Sequence, residues 1–262
     1  MSAALNATGL RIGYGRHVIV ASADLQIERG RVTTIIGPNG SGKSTLLRAI
    51  AGLSRPMAGT IELDGIPLTS LTPRELAVRL SMLPQSAVAP DGLTVADLVA
   101  RGRQPHQRWY RQWTAHDESI VLQAMQTMDV ASFATRPLDE LSGGQRQRAW
   151  IAMCLAQETP LMLLDEPTTH LDISHSVGIL ETVRGLSSDQ GRTVLMVLHD
   201  LSLAARYSDR LVVMRDGEIQ AQGVPGDILT DALMRDVFDI DARVFPDPAD
   251  GTPTIAPRAR LR

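Results

Sequence analysis

Cysteine, aromatic side chains and long apolar runs are all scarce in this sequence of 262 residues. The one cysteine, Cys154, excludes a framework of intramolecular disulfide bonds. No run of about 18 apolar residues occurs, because the densest stretches, 161–164 and 194–198, are only as long as strands. Residues 1–14 lack the charged start and apolar centre of a secretory signal. We therefore expect a cytosolic protein that reaches a membrane only through a partner.

Lysine is as scarce as cysteine. Of the 26 basic side chains 25 are arginine, and Lys43 is the only lysine. A codon preference for arginine explains the arginines but not the place of the single exception. The 29 acidic residues give a net charge of −3, which argues against a nucleic-acid-binding protein. The surroundings of Lys43 are therefore the first place to look for chemistry.

Strand and helix patterns alternate along the chain. Alternating apolar and polar residues over 5–27 predict antiparallel strands. Apolar runs and turn residues predict further strands at 32–36, 60–63, 161–164, 193–198, 211–214 and 218–221. Helical spacing and caps predict helices at 44–51, 94–101, 114–128 and 142–156, and one with Ile173, Val177 and Leu180 on one face. This α/β order predicts a parallel sheet with ligands beyond the carboxyl ends of its strands.

Two regions depart from that alternation. Over 84–160 three helical patterns follow one another, which predicts a helical insertion. In the second of them Val121, Met125 and Met128 share a face. The tail after Asp247 is rich in Pro, Gly and Arg, and we expect it to pack poorly.

A glycine-rich turn follows the strand at 32–36 and has the pattern G-x-x-x-x-G-K-[ST]. Its residues are Gly37, Pro38, Asn39, Gly40, Ser41, Gly42, Lys43, Ser44 and Thr45. Such a turn points backbone N–H groups at one anion, and the following helix adds its positive end. We expect Lys43 to reach the β- and γ-phosphates of a nucleotide and Ser44 to ligate Mg²⁺. Arginine would fit poorly there, because its planar fork needs more room than an ammonium group.

Two acidic residues, Asp165 and Glu166, end the apolar strand at 161–164. Burying charge is costly without a partner, so adjacent carboxylates at the mouth of a buried strand indicate a cation or a reaction. Next to a nucleotide, Asp165 would hold Mg²⁺ through water and Glu166 would polarise the attacking water. When this strand is taken alone, two acids in a solvated loop remain the alternative.

A second anion site is predicted at the start of the helix over 142–156, where the backbone amides are free. Its residues are Ser142, Gly143, Gly144 and Gln145. Together with the phosphate loop and Glu166, this peptide resembles the signature of ATP-binding cassette (ABC) proteins. The resemblance extends from Leu5 to about Thr230.

Further residues match motifs of that family in the family's order. Gln85 matches the Q-loop, which senses metal and couples to a membrane partner. The segment 169–172 matches the D-loop, with Thr169 where Ser is more usual. His199 matches the switch histidine that faces the γ-phosphate, although a lone histidine at a strand end is more often part of a core. Tyr14 matches the aromatic that stacks on adenine, with an ordinary strand aromatic as the alternative.

The resemblance implies a P-loop NTPase (RecA-like) core with an N-terminal antiparallel β subdomain and an inserted helical subdomain. The nucleotide-binding domain would span 5–238, made of a core at 5–84 and 159–238 and a helical subdomain at 85–158. A short C-terminal tail, 239–262, would follow. The implied cofactors are ATP and Mg²⁺, and the implied metal ligands are Ser44, Gln85 and Asp165. The implied catalytic residues are Glu166, His199 and Gln85.

The resemblance also implies partners. In a head-to-tail homodimer, one copy would contact in trans the nucleotide on the phosphate loop of the other, through Ser142, Gly143, Gly144, Gln145 and Asp172. Integral membrane permease subunits would bind the pair, and a substrate-binding protein would act indirectly. No nucleic-acid partner is expected. The resemblance implies that the protein is a peripheral subunit at the cytoplasmic face of the inner (plasma) membrane.

The segment 101–113 bears on which branch of the family the sequence resembles. Three aromatic residues, Trp109, Tyr110 and Trp113, lie among four arginines, Arg101, Arg103, Arg108 and Arg111. Such a mixture can track single-stranded nucleic acid, or it can be a solvated loop whose rings pack locally. It also resembles the helical subdomain of importers for iron–siderophore complexes, haem and cobalamin.

The segments 143–155 and 164–175 are most similar to the ferric-siderophore members. Ferric-siderophore import is therefore the main interpretation. A haem or cobalamin importer, or a soluble cassette ATPase of the iron–sulfur assembly type, remains open. A DNA-repair or translation protein is disfavoured by the single cysteine and single cassette.

Overall fold

The computed structural model describes residues 3–107, 113–169 and 171–261. Its strands are, in chain order, β1 (Ala3–Tyr14), β2 (His17–Glu28), β3 (Val32–Ile36), β4 (Ala58–Leu63), β5 (Ile66–Pro67), β6 (Leu80–Leu83), β7 (Leu161–Asp165), β8 (Thr193–Val197), β9 (Arg210–Arg215), β10 (Glu218–Gly223), β11 (Ile240–Pro246) and β12 (Pro253–Arg260). Its α-helices are α1 (Lys43–Ile50), α2 (Pro73–Ala77), α3 (Val95–Arg101), α4 (Ala115–Thr127), α5 (Gly143–Ala156), α6 (Ile173–Gln190), α7 (Leu201–Tyr207), α8 (Pro225–Ile228) and α9 (Asp231–Phe238). Each strand and helix predicted from the sequence is confirmed, with small shifts at its ends.

Ten strands form one sheet in the order β5-β4-β1-β2-β10-β9-β3-β8-β7-β6. Strands β9, β3, β8, β7 and β6 pair in parallel. Strands β1, β2, β4 and β5 pair antiparallel, and the two halves meet where Glu218 pairs with Ser22. The predicted α/β fold, a P-loop NTPase core with an N-terminal antiparallel β subdomain, is confirmed.

The central strands carry the functional edge of the sheet. Every residue of β3, β7 and β8 is buried, as expected of strands that are apolar or β-branched and covered on both faces. Ile35 and Asp165 both pair with Val197, so these three strands end level with one another. The loops that follow them therefore open side by side.

The insertion between β6 and β7 is helical, as predicted. Thr94, Thr114 and Ser142 each accept a hydrogen bond from the backbone N–H three residues on and cap α3, α4 and α5. Val121 and Met125, on the predicted face of α4, are both buried. The three helices pack against one another and share the larger apolar core. Among the helices described, none is both long and apolar enough to cross a bilayer.

The predicted face of α6 is partly wrong. Leu180 is buried, but Ile173 is 66% exposed, and the buried stripe passes instead through Ser176, Ile179 and Val183. Ile173 is the first residue of the helix, and its turn extends beyond the core. Helical spacing alone therefore assigns it to the wrong environment.

The prediction of a poorly packed tail is also wrong. β12 lies after Asp247 and pairs antiparallel with β11. Ala242 on β11 is 4% exposed, and Val244 and Ile255 pack against the larger core. The hairpin tolerates its prolines because each of its two strands has an edge that needs no N–H donor. The Pro, Gly and Arg content of the tail does not show whether its residues pair with another strand, so it gave the wrong prediction.

Candidate functional site

The phosphate loop, 37–45, joins β3 to α1. A Cβ on Gly37 would lie 2.1 Å from the carbonyl oxygen of Met214, so this position admits only glycine. The Nζ of Lys43 donates to the carbonyl oxygens of Gly37 and Pro38, each at 2.9 Å. Burial lowers the pKa of Lys43, opposed by the carboxylates at the end of β7. The only lysine of the chain thus lies folded into the loop.

The loop also has capacity for an anion. The Oγ of Ser41 is buried and has no hydrogen-bond partner within the described ranges. Gly42 precedes α1 in the left-handed region, with φ of 97° and no side chain to cap the helix. A buried hydroxyl and uncapped helix amides around one turn fit a bound phosphate group.

A hydroxyl and a carboxylate meet between α1 and β7. The Oγ of Ser44 donates to the Oδ1 of Asp165 at 2.9 Å. Burial raises the pKa of Asp165, as does the charge of Glu166, while the Ser44 hydrogen bond and the charges of Arg48 and Lys43 oppose the rise. Both groups are oxygen ligands of the kind that Mg²⁺ takes beside phosphates. These residues fit the predicted metal.

Glu166 is the centre of a hydrogen-bonded group. Its Oε2 accepts from the Nε2 of Gln85 and from the Oγ1 of Thr169, both at 2.9 Å. Its Oε1 lies 2.6 Å from the Nε2 of His199. Two residues distant in sequence, Gln85 and His199, and the nearby Thr169 therefore hold one carboxylate in a fixed place.

The charge of Glu166 follows from these partners. Burial by itself raises the pKa of Glu166, but the hydrogen bonds from Thr169 and His199, the charge of His199 and the hydrogen bond from Gln85 bring it below its ordinary value. The group is consequently ionised at neutral pH and able to accept a proton. Its hydrogen-bond donors restrict it to one orientation.

The backbone explains why the carboxylate reaches this place. Glu166 follows the last residue of β7, and its N–H donates to the carbonyl oxygen of Val197 on β8. Its φ is 54°, a left-handed conformation that costs a non-glycine residue of order 1 kcal/mol. That turn takes the chain away from the strand direction. His199 and Gln85 each come two residues after the end of a neighbouring strand, β8 and β6.

A cavity of about 220 Å³ adjoins the carboxylate. One side is polar, formed by Glu166, His199 and Asp200. The other side carries apolar side chains, among them Leu171 and the exposed Ile173. A water molecule and a phosphate fit in such a space, and the apolar rim is open to a partner surface.

The signature peptide lies at the start of α5. The Oγ of Ser142 accepts from the N–H of Gln145, and the Oε1 of Gln145 accepts from the N–H of Ser142, which is a capping box. A Cβ on Gly143 would meet no atom within 4 Å, whereas one on Gly144 would touch the ring of His175. The structure thus leaves the Gly143 side of this helix start open.

The remaining predicted residues lie apart from the carboxylate group. Asp172 caps α6 and accepts from His175. Tyr14 ends β1, is 53% exposed and pairs with His17 across the hairpin turn. The D-loop residue His170 lies outside the described residues.

The cluster of aromatic residues and arginines is only partly described. Residues 108–112 lie outside the described ranges, so Trp109, Tyr110 and two of the arginines are not placed. Arg103 is 3% exposed, and its Nε donates to Asp117 at 3.0 Å. It therefore holds the helical insertion together and is not free to bind a nucleic-acid backbone.

Two contacts escaped the sequence analysis. The motif match predicts no contact for the Thr169 hydroxyl, which donates to the Oε2 of Glu166. His175 was not considered, although an aspartate three residues earlier at a helix start is a recognisable signal of a paired cap.

Comparison with known proteins decides the family. The ABC transporter family model matches residues 20–169. This chain belongs to the ABC transporter family. It is 45% identical over 262 residues to the petrobactin import ATP-binding protein FpuD of Bacillus anthracis, covering 100% of this chain and 96% of that protein.

Two further similarities agree. The chain is 45% identical over 258 residues to the ferric enterobactin transport ATP-binding protein FepC of Escherichia coli K12, covering 98% and 95%. A solved structure described as an inward-facing metal-chelate type ABC transporter superposes with a TM-score of 0.85 at 26% identity and covers 98% of both chains. As an ABC ATPase, the chain binds and hydrolyses ATP to power transport.

Proposed function

We propose that this chain is the ATP-hydrolysing subunit of an importer for ferric siderophores. The observation that carries the catalytic part is the Glu166 carboxylate, ionised and held by three donors beside the phosphate loop. The substrate class rests on the ABC relatives that act on petrobactin and ferric enterobactin.

In the proposed reaction, the loop amides and Lys43 bind the phosphates of ATP. Glu166 orients a water molecule toward the γ-phosphorus and accepts its proton, while ADP leaves as the phosphoanhydride bond breaks. His199 holds one oxygen of the carboxylate and faces the same cavity. Lys43 must exchange its carbonyl partners for phosphate oxygens, which its flexible stem allows.

Mg²⁺ would be held by Ser44 and Asp165 and would neutralise phosphate charge. The amide nitrogen of Gln85 is engaged with Glu166, so its carbonyl oxygen is the end available to a metal. One residue would then link the metal to the base. This dual contact supports the role we assign to Gln85 as a sensor of the bound nucleotide.

We further propose a head-to-tail homodimer. A side chain at Gly143, the first residue of α5, would meet no atom of its own chain, and apolar residues such as Ile173 are exposed at the rim of the catalytic cavity. A second copy would cover this rim and bring Ser142, Gly143, Gly144, Gln145 and Asp172 to the nucleotide, while Tyr14 would stack on adenine. ATP closes such a pair and hydrolysis reopens it.

The remaining partners follow from the transport role. Permease subunits would bind the ATPase pair through the Gln85 region and the helical subdomain, 85–158, which is inserted between the core segments 5–84 and 159–238. The chain would be peripheral at the cytoplasmic face of the membrane. A substrate-binding protein would deliver the ferric complex to the permease and not to this chain.

Reconstitution tests this function. The chain, the permease subunits that it binds and the matching substrate-binding protein are assembled in proteoliposomes, and ATP-dependent uptake of an iron-55 siderophore is measured. We expect uptake that stops with Glu166→Gln. Uptake of haem or cobalamin without the ferric siderophore would transfer the assignment to those importers. Steady ATP hydrolysis by a chain that binds no permease would favour the soluble cassette type.

A further inference from the structure

A histidine outside the catalytic group joins two of the proposed nucleotide-facing segments within one subunit. His175 lies in the first turn of α6, and its Nδ1 is 2.8 Å from both carboxylate oxygens of Asp172. A carboxylate only accepts, so the Nδ1 carries the hydrogen. The backbone N–H of His175 also donates to Asp172 at 2.9 Å. The side chain of Asp172 is therefore held twice by the same residue.

The Cδ2 side of the imidazole lies next to Gly144 in the signature peptide. A Cβ placed on Gly144 would lie 3.0 Å from the Cδ2 of His175 and 3.3 Å from its Cγ. The ring thus lies directly over the second residue of α5. The neighbouring Gly143 has no atom within 4 Å of the same position. Of the two glycines at the start of α5, only Gly144 therefore faces His175.

This contact suggests a second reason for glycine at position 144. Alanine is a better helix former than glycine by about 1 kcal/mol, so a glycine within a helix has a cause other than helix propensity. At Gly143 nothing in the same subunit opposes a methyl group. At Gly144 the ring of His175 does.

We propose that His175 is a positioning residue that fixes the D-loop aspartate, Asp172, against the start of the signature helix, so that both reach the partner's nucleotide as one rigid unit. The inference rests on the proposed dimer. It concerns the contact within one chain, which is testable without the dimer. His175 touches neither the phosphate loop nor Glu166 among the described contacts, so its effect is on assembly of the shared site.

The contact is tested by a thermodynamic cycle on the nucleotide-free chain. Gly144→Ala and His175→Ala are made singly and together, and urea unfolding is measured for each. We expect Gly144→Ala to be destabilising with His175 present and neutral or stabilising without it, a clear failure of additivity. Gly143→Ala is the matched control, and its effect should be the same in both backgrounds. Additive effects at Gly144 would overturn the proposed contact.

The role in assembly is tested by two substitutions that mimic different ring nitrogens. His175→Asn can place its amide N–H near the Nδ1 position and keep the bond to Asp172, whereas His175→Gln extends toward the Nε2 position and loses it. We expect His175→Gln to raise the ATP concentration for half-maximal hydrolysis by about two- to tenfold, the range of one hydrogen bond, with kcat changed less than about twofold. His175→Asn should stay close to wild type.

Nucleotide binding by single subunits separates this role from a general structural defect. At low protein concentration, fluorescent ATP should bind all variants equally, because binding by a single subunit uses the phosphate loop, Tyr14 and the metal ligands but neither His175 nor Asp172. Equal ATP dependence for the Asn and Gln variants would overturn the positioning role. If the wild-type chain forms no ATP-dependent dimer, the proposed function fails and this role fails with it, while the cycle at Gly144 still reports on the contact.

Discussion

Replacing Glu166 by glutamine separates the charge of the carboxylate from its shape. An amide is nearly isosteric, and its oxygen can still accept from Gln85 and Thr169, as the carboxylate Oε2 does at 2.9 Å. Its NH₂ group would face the Nε2 of His199, where a neutral imidazole can accept. We therefore expect the variant to fold and bind ATP like the wild type, because none of these contacts belongs to the phosphate loop.

Hydrolysis should suffer much more than binding. Loss of a positioned general base lowers turnover by about 10²–10⁴, equivalent to about 2.7–5.4 kcal/mol in activation free energy. Phosphate release at saturating ATP measures turnover, and size-exclusion chromatography with ATP detects the dimer that accumulates when hydrolysis stops. The lowered pKa of Glu166 places the wild-type group in its ionised form at neutral pH, so the charge is present to be lost. Turnover by Glu166→Gln within about threefold of wild type would refute the assignment of this carboxylate as the base.

Three further outcomes are expected. Lys43→Arg keeps the charge but needs room for a planar fork in a site that is 5% exposed, so ATPase activity should fall on the order of tenfold or more, and full activity would contradict the fit argued for an ammonium group. Arg103→Leu leaves Asp117 buried without its ion pair and should lower the free energy of unfolding by about 3–5 kcal/mol in urea, against less than about 1 kcal/mol for Arg148→Leu, whose partner is exposed. Because the pKa of Asp117 is lowered, its contribution is present above the unfolded value of 3.8 and is lost as the pH falls below it. Burial raises the pKa of Cys154 to about 12, so a thiol reagent at pH 8 should label only unfolded molecules, and rapid labelling in native buffer would contradict the packing.

The parts of the fold that could be predicted are those with local causes. Thr94 and Thr114 cap helices because a hydroxyl three residues before a free N–H is a short-range interaction. The apolar run 161–164 forms a strand because both its faces are apolar and are covered by neighbouring layers of the fold. The predicted burial of Ile173 was wrong because helical spacing does not show how far a helix extends beyond the core.

The sequence predicts which residues form the site but not which of them contact one another. Motif spacing places Gln85 and His199 after strands, yet only strand register shows that both reach the same carboxylate from opposite sides. Register depends on pairing between segments far apart in the sequence. The hairpin of β11 and β12 was missed for the same reason, since Pro and Gly content reports turns and not the partner strand.

The single lysine has a practical consequence for chemical labelling. Apart from the α-amino group of the chain, Lys43 is the only primary amine that the sequence contains. It lies inside the phosphate loop, and burial favours its uncharged, nucleophilic form by lowering its pKa. An acyl phosphate of a nucleotide would therefore modify one side chain only, and protection by ATP could be followed by intact mass alone. Cross-linkers that join two lysines, in contrast, find no exposed lysine on this chain, so its contacts with a permease are better mapped through carboxylates or arginines.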